Sequence, residues 1–187
     1  MAALRLIGLL LLWPSLILLT ASFFPVGRRT ENVPLPGAHT VDIEYPANLR
    51  LGDPQEIQLS LASASNNNDD YTLTASARLD SVDLKTTHPG DWEQPLLPGQ
   101  SVRWRWTVTA ESPGRHQANL IIHLRFIPKA GGMIEEKSVW ARTLAFQAAD
   151  VLGLPPFVAR SLSVSGTLLS ALLVTPVTQK IFIRRHS

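Results

Sequence analysis

The sequence contains no cysteine. Disulfide frameworks, thiolate zinc sites, iron–sulfur ligation and cysteine nucleophiles are therefore excluded, whereas the compartment stays open, because a chain without thiols suits oxidising and reducing surroundings alike. Charge is scarce too: 17% of the 187 residues are charged, against about 25% in a typical soluble protein. The 14 prolines and 11 glycines are dispersed rather than clustered. Neither a disordered polyelectrolyte nor a collagen-like repeat fits that pattern, and the length gives room for about one domain. Local signatures of catalysis are missing as well. There is no G-x-S-x-G elbow, no phosphate-binding glycine loop, no H-E-x-x-H and no G-x-G-x-x-G after a strand, so no catalytic and no cofactor-binding residue is assigned.

Acidic residues are absent from both ends. All 15 lie between Glu31 and Asp150, where ten basic residues leave a net charge of −5. Outside that stretch stand only cations: Arg5, Arg28, Arg29, Arg160, Lys180, Arg184 and Arg185. Each flanks a long apolar run, where cations meet lipid headgroups, so all seven are read as membrane-interface residues. The basic isoelectric point follows from this flanking charge, and nucleic acid is not an expected partner.

Leu6 to Phe24 is nineteen residues without a charge, close to the roughly 20 that a helix needs to cross a bilayer. A secretory signal peptide is the rival reading, with Thr20-Ala21-Ser22 as its cleavage site. The apolar run continues through Phe23 and Phe24 past that site, which favours an uncleaved anchor over residues 1–24. Ser161 to Val177 is seventeen uncharged residues, followed by a basic tail over residues 180–187. With Phe157 and Val158 extending it and Arg160 snorkelling, it reads as a second transmembrane helix over residues 157–179. Ser163, Gly166 and Ser170 fall on one side of it, and small residues at that spacing suit close packing against the first helix or another membrane subunit. Two spans put both termini on one side. Near the membrane that side carries four cations (Arg5, Lys180, Arg184, Arg185) and the other three (Arg28, Arg29, Arg160), which places the termini in the cytoplasm and the middle domain outside.

Between the helices, residues 25–38 are rich in proline and glycine and read as an extended linker. From residue 39 to residue 150, period-two alternation recurs: Val41, Ile43, Tyr45; Ile57, Leu59, Leu61; Tyr71 to Leu79; Val102, Trp104, Trp106, Val108; Ala118 to Phe126; and Trp140, Leu144, Phe146, interrupted by Arg142. Turn residues bound each run. Six or seven short strands without an amphipathic helix predict an all-β, immunoglobulin-like antiparallel sandwich flanked by an N-terminal and a C-terminal transmembrane helix.

Glu44-Tyr45-Pro46 followed by Leu49-Arg50-Leu51-Gly52-Asp53, with Trp104-x-Trp106-x-Val108 and Gly114-x-His116, resembles an uncharacterised immunoglobulin-like β-sandwich module of bacterial signalling or conflict-related proteins, often found near membrane helices. The resemblance spans about residues 40 to 148. It implies an accessory or interaction domain without catalysis, and lends no functional residue.

Candidate ligand sites resolve into structural roles. In Arg103-Trp104-Arg105-Trp106, strand alternation sends both tryptophans to one face and both arginines to the other, which separates stacking surface from charge. His116 and His123 are an odd number of residues apart, face opposite sides of a strand and cannot share a metal. Asn66 to Asp70 offers side-chain oxygens, but without the spacing of a calcium loop it reads as a solvated hairpin tip. No metal and no cofactor are assigned. The expected function is that of a non-catalytic accessory or interaction subunit held in a membrane complex, its partners being lipids and other membrane subunits. The alternative is a membrane-tethered sensor that binds a small ligand or glycan through the sandwich.

Overall fold

A computed structural model describes residues 2–23, 26–35, 39–63, 70–150, 154 and 156–174, with side chains of residues 2–9, 22, 156, 173 and 174 outside the description. The chain divides into two compact units, Val26–Ala149 and the two terminal segments Met1–Pro25 and Asp150–Ser187.

The first unit holds ten strands: β1 (Arg28–Leu35), β2 (His39–Pro46), β3 (Leu49–Arg50), β4 (Gln55–Ala62), β5 (Tyr71–Asp80), β6 (Leu84–Thr86), β7 (Trp92–Pro95), β8 (Ser101–Ala110), β9 (Gly114–Pro128) and β10 (Glu135–Ala149). They form two five-stranded sheets, β1-β2-β4-β8-β6 and β3-β10-β9-β5-β7. The residues that alternate in sequence point inward from both. Val41, Ile43, Ile57, Leu59, Leu61, Trp104, Trp106, Leu120, Ile122, Leu144 and Phe146 make one continuous core, so the unit is a β-sandwich. Burying aliphatic and aromatic side chains from both sheets stabilises it by roughly 25 cal/mol per Å² of apolar surface. The Tyr45 and Phe146 rings meet edge to face across the two sheets, centroids 6.1 Å apart.

Local chemistry sets the register. In Leu97-Pro98-Gly99-Gln100, the Gln100 N–H donates to the Leu97 carbonyl at 3.1 Å and Gly99 has φ 67°, a type II turn that needs glycine at its third position. It delivers β8 with both tryptophans facing the core. Near the start of β10 the register shifts between Ser138 and Trp140, a bulge that leaves Val139 without a direct partner.

Two features depart from the sequence expectation. The predicted linker over residues 25–38 contains β1, paired antiparallel to β2 along its whole length from Arg28↔Pro46 to Leu35↔His39. An edge strand tolerates a proline and needs no strict alternation, which is why Pro34 does not prevent it. The two-residue strand β3 runs parallel to the end of β10, so the pairing is not wholly antiparallel. Arg28 and Arg29, expected at the membrane interface, are residues of β1. Because Arg28 pairs with Pro46, and β3, only three residues further on, pairs with Ala148 and Ala149, both ends of the sandwich lie at the same edge of the unit.

The second unit is a helical hairpin. α1 (Ala2–Phe23) and α2 (Pro156–Val174) pack against each other, and Pro14 lies inside α1. Arg160 lies over the Phe23 ring while Gly166 meets Ser15, so the helices run antiparallel. The expectation of two membrane spans finds no support at this level: among the described residues, no helix is long and apolar enough to cross a membrane. Residues 175–179 of the predicted second span, and the basic tail, lie outside the described residues.

Candidate interaction surfaces

In the helical hairpin, α2 turns its small residues inward. Ala159, Ser163 and Ser170 are fully buried, and a Cβ built on Gly166 would overlap Ser15 Oγ and lie 3.2 Å from Ser15 Cβ. Glycine is therefore what allows the two backbones to approach at this level. Hydroxyls along both helices donate to carbonyls one turn back: Ser15 to Leu11 at 2.8 Å, Ser163 to Arg160 at 2.8 Å, Thr167 to Ser163 at 2.7 Å and Ser170 to Gly166 at 2.6 Å. Each such bond satisfies a polar group within its own helix and leaves little polarity to present outward. The large side chains do the opposite. Leu10, Trp13, Ile17, Phe157, Leu162, Leu168 and Leu172 are exposed. Arg160 sits 5.4 Å from the Phe23 ring centroid, a cation–π contact that holds its guanidinium against the other helix. Arg5, Lys180, Arg184 and Arg185 lie outside the residues whose side chains are described.

The sandwich reverses this pattern, with apolar side chains inside and a polar surface. On the outer face of the first sheet Arg28 Nη1 donates to Glu44 Oε1 at 2.7 Å and Arg105 stands 3.6 Å from Glu56. The Glu44 carboxylate, through that hydrogen bond, holds the Arg28 guanidinium above its usual range. Arg103 and Arg105 are exposed, whereas Trp104 and Trp106 are fully buried. The Trp104 indole N–H donates to the Trp92 carbonyl at 2.7 Å. On the outer face of the second sheet, Arg125 bridges Glu93 at 2.9 Å and Glu136 at 3.3 Å, and His123 lies 3.7 Å from Glu136. His116 is buried in the core with Nε2 2.8 Å from the Ser112 carbonyl, so the two histidines do occupy opposite faces. Among the described residues, no group of three or more His, Asp or Glu side chains could hold a metal ion. Of the Asn66–Asp70 loop only Asp70 is among the described residues.

One polar cluster joins the sheets. Tyr45 OH donates to Glu31 Oε1 at 2.6 Å, and Arg142 Nη1 reaches Glu31 Oε2 at 2.5 Å. Glu31 belongs to β1, Tyr45 to β2 and Arg142 to β10 of the opposite sheet. Arg142, which breaks the apolar alternation of its strand, thus closes the open flank of the sandwich with its charge on Glu31. Burial first, and then the hydrogen bond to Glu31 and its negative charge, push the Tyr45 phenol above its ordinary range. Sequence reasoning missed Glu31 and Ser15. The interruption at Arg142 was the one available signal, because a cation that breaks an apolar alternation calls for an anion nearby.

The class these observations define is a two-sheet β-sandwich whose chain enters from one helix and leaves into another. No family model and no curated protein matches the chain. Among solved structures, it is similar to a cohesin module from a Clostridium perfringens family 33 glycoside hydrolase, with 10% identity over 59% of this chain and 96% of that one at a TM-score of 0.35. It is similar also to the complex of zinc 2-glycoprotein and prolactin-inducible protein from human seminal plasma, with 8% identity, 65% and 93% coverage and a TM-score of 0.40. A conjugative transposon lipoprotein from Bacteroides eggerthii is a third, with 15% identity, 64% and 95% coverage and a TM-score of 0.28. At these scores the likenesses carry no argument about function.

Proposed function

We propose that the chain is a non-catalytic membrane protein in which the helical hairpin lies in lipid and an immunoglobulin-like sandwich outside the cytoplasm serves as the interaction module of a larger membrane assembly. The observation that carries this reading is the inverted polarity of the hairpin. Trp13 is 64% exposed, Phe157 79% and Leu168 62%, while Ser163 and Ser170 are 0% exposed. In water this arrangement leaves apolar surface unpaid for by burial; in hydrocarbon it is the favourable one, with hydroxyls satisfied inside and alkyl groups outside. The whole uncharged stretch Leu6–Phe24 and the run Ser161–Val177, flanked by cations, supply the remaining support. Polar sheet faces and open sheet edges suit the sandwich to docking against other subunits.

Alkaline carbonate extraction of membranes from the source cell tests the anchoring. The chain is expected in the pellet, and its release into the supernatant would overturn the membrane reading. Native mass spectrometry after mild detergent extraction tests the assembly. A stoichiometric complex with other subunits is expected, whereas a lone monomer under several mild conditions removes the accessory role and leaves the anchoring untouched.

A further inference from the structure

The strand next to α1 in the chain is attached to the sandwich differently from the other long strands. The strands β2, β4, β5, β8, β9 and β10 each place side chains in the core, but β1 has none that is buried. Val33 and Leu35 only partly cover the core edge. Apart from its backbone ladder to β2, β1 is held by side-chain ties to carboxylates and to the Tyr45 hydroxyl: Arg28 to Glu44 at 2.7 Å, Asn32 to Asp42 at 2.5 Å, Glu31 to both Tyr45 and Arg142, and Arg29 to Tyr45. The Ala47 N–H donates to the Gly27 carbonyl at 2.7 Å. In an antiparallel ladder, hydrogen-bonded and non-bonded pairs alternate, so the odd-numbered residues of β1 bond to β2 and the even-numbered ones face the free edge. Pro34, lacking an N–H, falls at a free-edge position, where it costs no ladder bond and discourages a further strand from adding there.

From this we infer that β1 is a releasable strap: it detaches from β2 as a unit while the rest of both sheets stays folded. Segments with little buried apolar surface open locally at far lower free energy than core strands, and exposed ion pairs contribute little to holding them. Release adds its eight residues, about 25 Å of extended chain, to the link between α1 and the sandwich. It also bares the edge of β2. The inference does not rest on the membrane reading, since every tie lies within the sandwich.

β2 itself supplies an internal readout. Its odd-numbered amides, Val41, Ile43 and Tyr45, bond to β1, while Thr40, Asp42 and Glu44 face β4. Residue-resolved hydrogen exchange on the full chain in detergent is expected to show the first set exchanging together with Glu31 and Val33. Those rates should exceed the rates of the second set and of β8 and β9 by at least ~10-fold. Glu31→Gln should accelerate the fast set by roughly another tenfold and leave β8 and β9 unchanged. Arg78→Ala, which cuts the exposed ion pair to Asp80 within β5, should leave the fast set as it was. If both sets on β2 exchange in step in the wild-type protein, or if Glu31→Gln accelerates all strands together, β1 is an integral strand and there is no strap. The wild-type comparison decides the matter even if the variant does not fold.

Discussion

At the scale of single residues, the closest approach in the hairpin makes the sharpest demand. Gly166 has no room for a methyl group opposite Ser15, so Gly166→Ala should cost about 1–3 kcal/mol of helix-pair stability. Ser15→Gly in the same chain should restore most of it, and thermal melts of the helical circular dichroism signal in detergent check both. The two core tryptophans differ in a similarly testable way. Trp104 donates to the Trp92 carbonyl, whereas the Trp106 indole nitrogen has no partner among the described residues. Both substitutions to Phe leave space behind, but Trp104→Phe also strands a carbonyl, which adds about 1–3 kcal/mol. Denaturant unfolding should therefore rank Trp104→Phe as the more damaging, and the reverse order would remove the hydrogen bond from the account. Arg142 was visible in the sequence as an interruption but not as half of a pair, because its partner Glu31 lies 111 residues away.

At the scale of elements, the polar cluster around Glu31 carries a pH dependence. The Tyr45 phenol is raised above its ordinary value of 10.0. A group whose pKa is raised on folding contributes stability that is fully present below the unfolded value and is lost as pH rises through the folded one. The stability difference between wild type and Tyr45→Phe should thus be constant up to about pH 10 and shrink above it, as equilibrium unfolding at a series of alkaline pH values would reveal. The larger strands were legible because each buries one face, and burial of one face writes a period of two into the sequence: Ile57-Leu59-Leu61 and Val102-Trp104-Trp106-Val108 need no other evidence. β1 was not, since an edge strand held by polar side chains has no buried face to enforce the pattern, and its Arg28-Arg29 pair stands beside a long apolar run. β3 is two residues long and too short to show any period. Of the candidate interaction surfaces, the small-residue side of α2 was legible from spacing, but the partner residue Ser15 was not, because the sequence alone does not fix the rotation of α1.

At the scale of the whole molecule, the division of the chain predicts separable behaviour. The unit Val26–Ala149 has a continuous core of its own, so expressed alone it should be soluble without detergent and unfold in one cooperative transition. Loss of solubility or a non-cooperative melt would show that the terminal segments complete its core. The β-sandwich is an insertion between two helices that pair with each other, and this orders events during synthesis. α1 leaves the ribosome first, yet its packing partner at Gly166 is not made until the entire sandwich has been translated, a delay on the order of 10 s at roughly 5–20 residues per second. Through that interval the apolar surface of α1 has only lipid, a chaperone or another chain to cover it. Closure of the hairpin therefore follows synthesis of the sandwich, and a released chain ending at residue 155 would carry the whole β domain on a single unpaired helix.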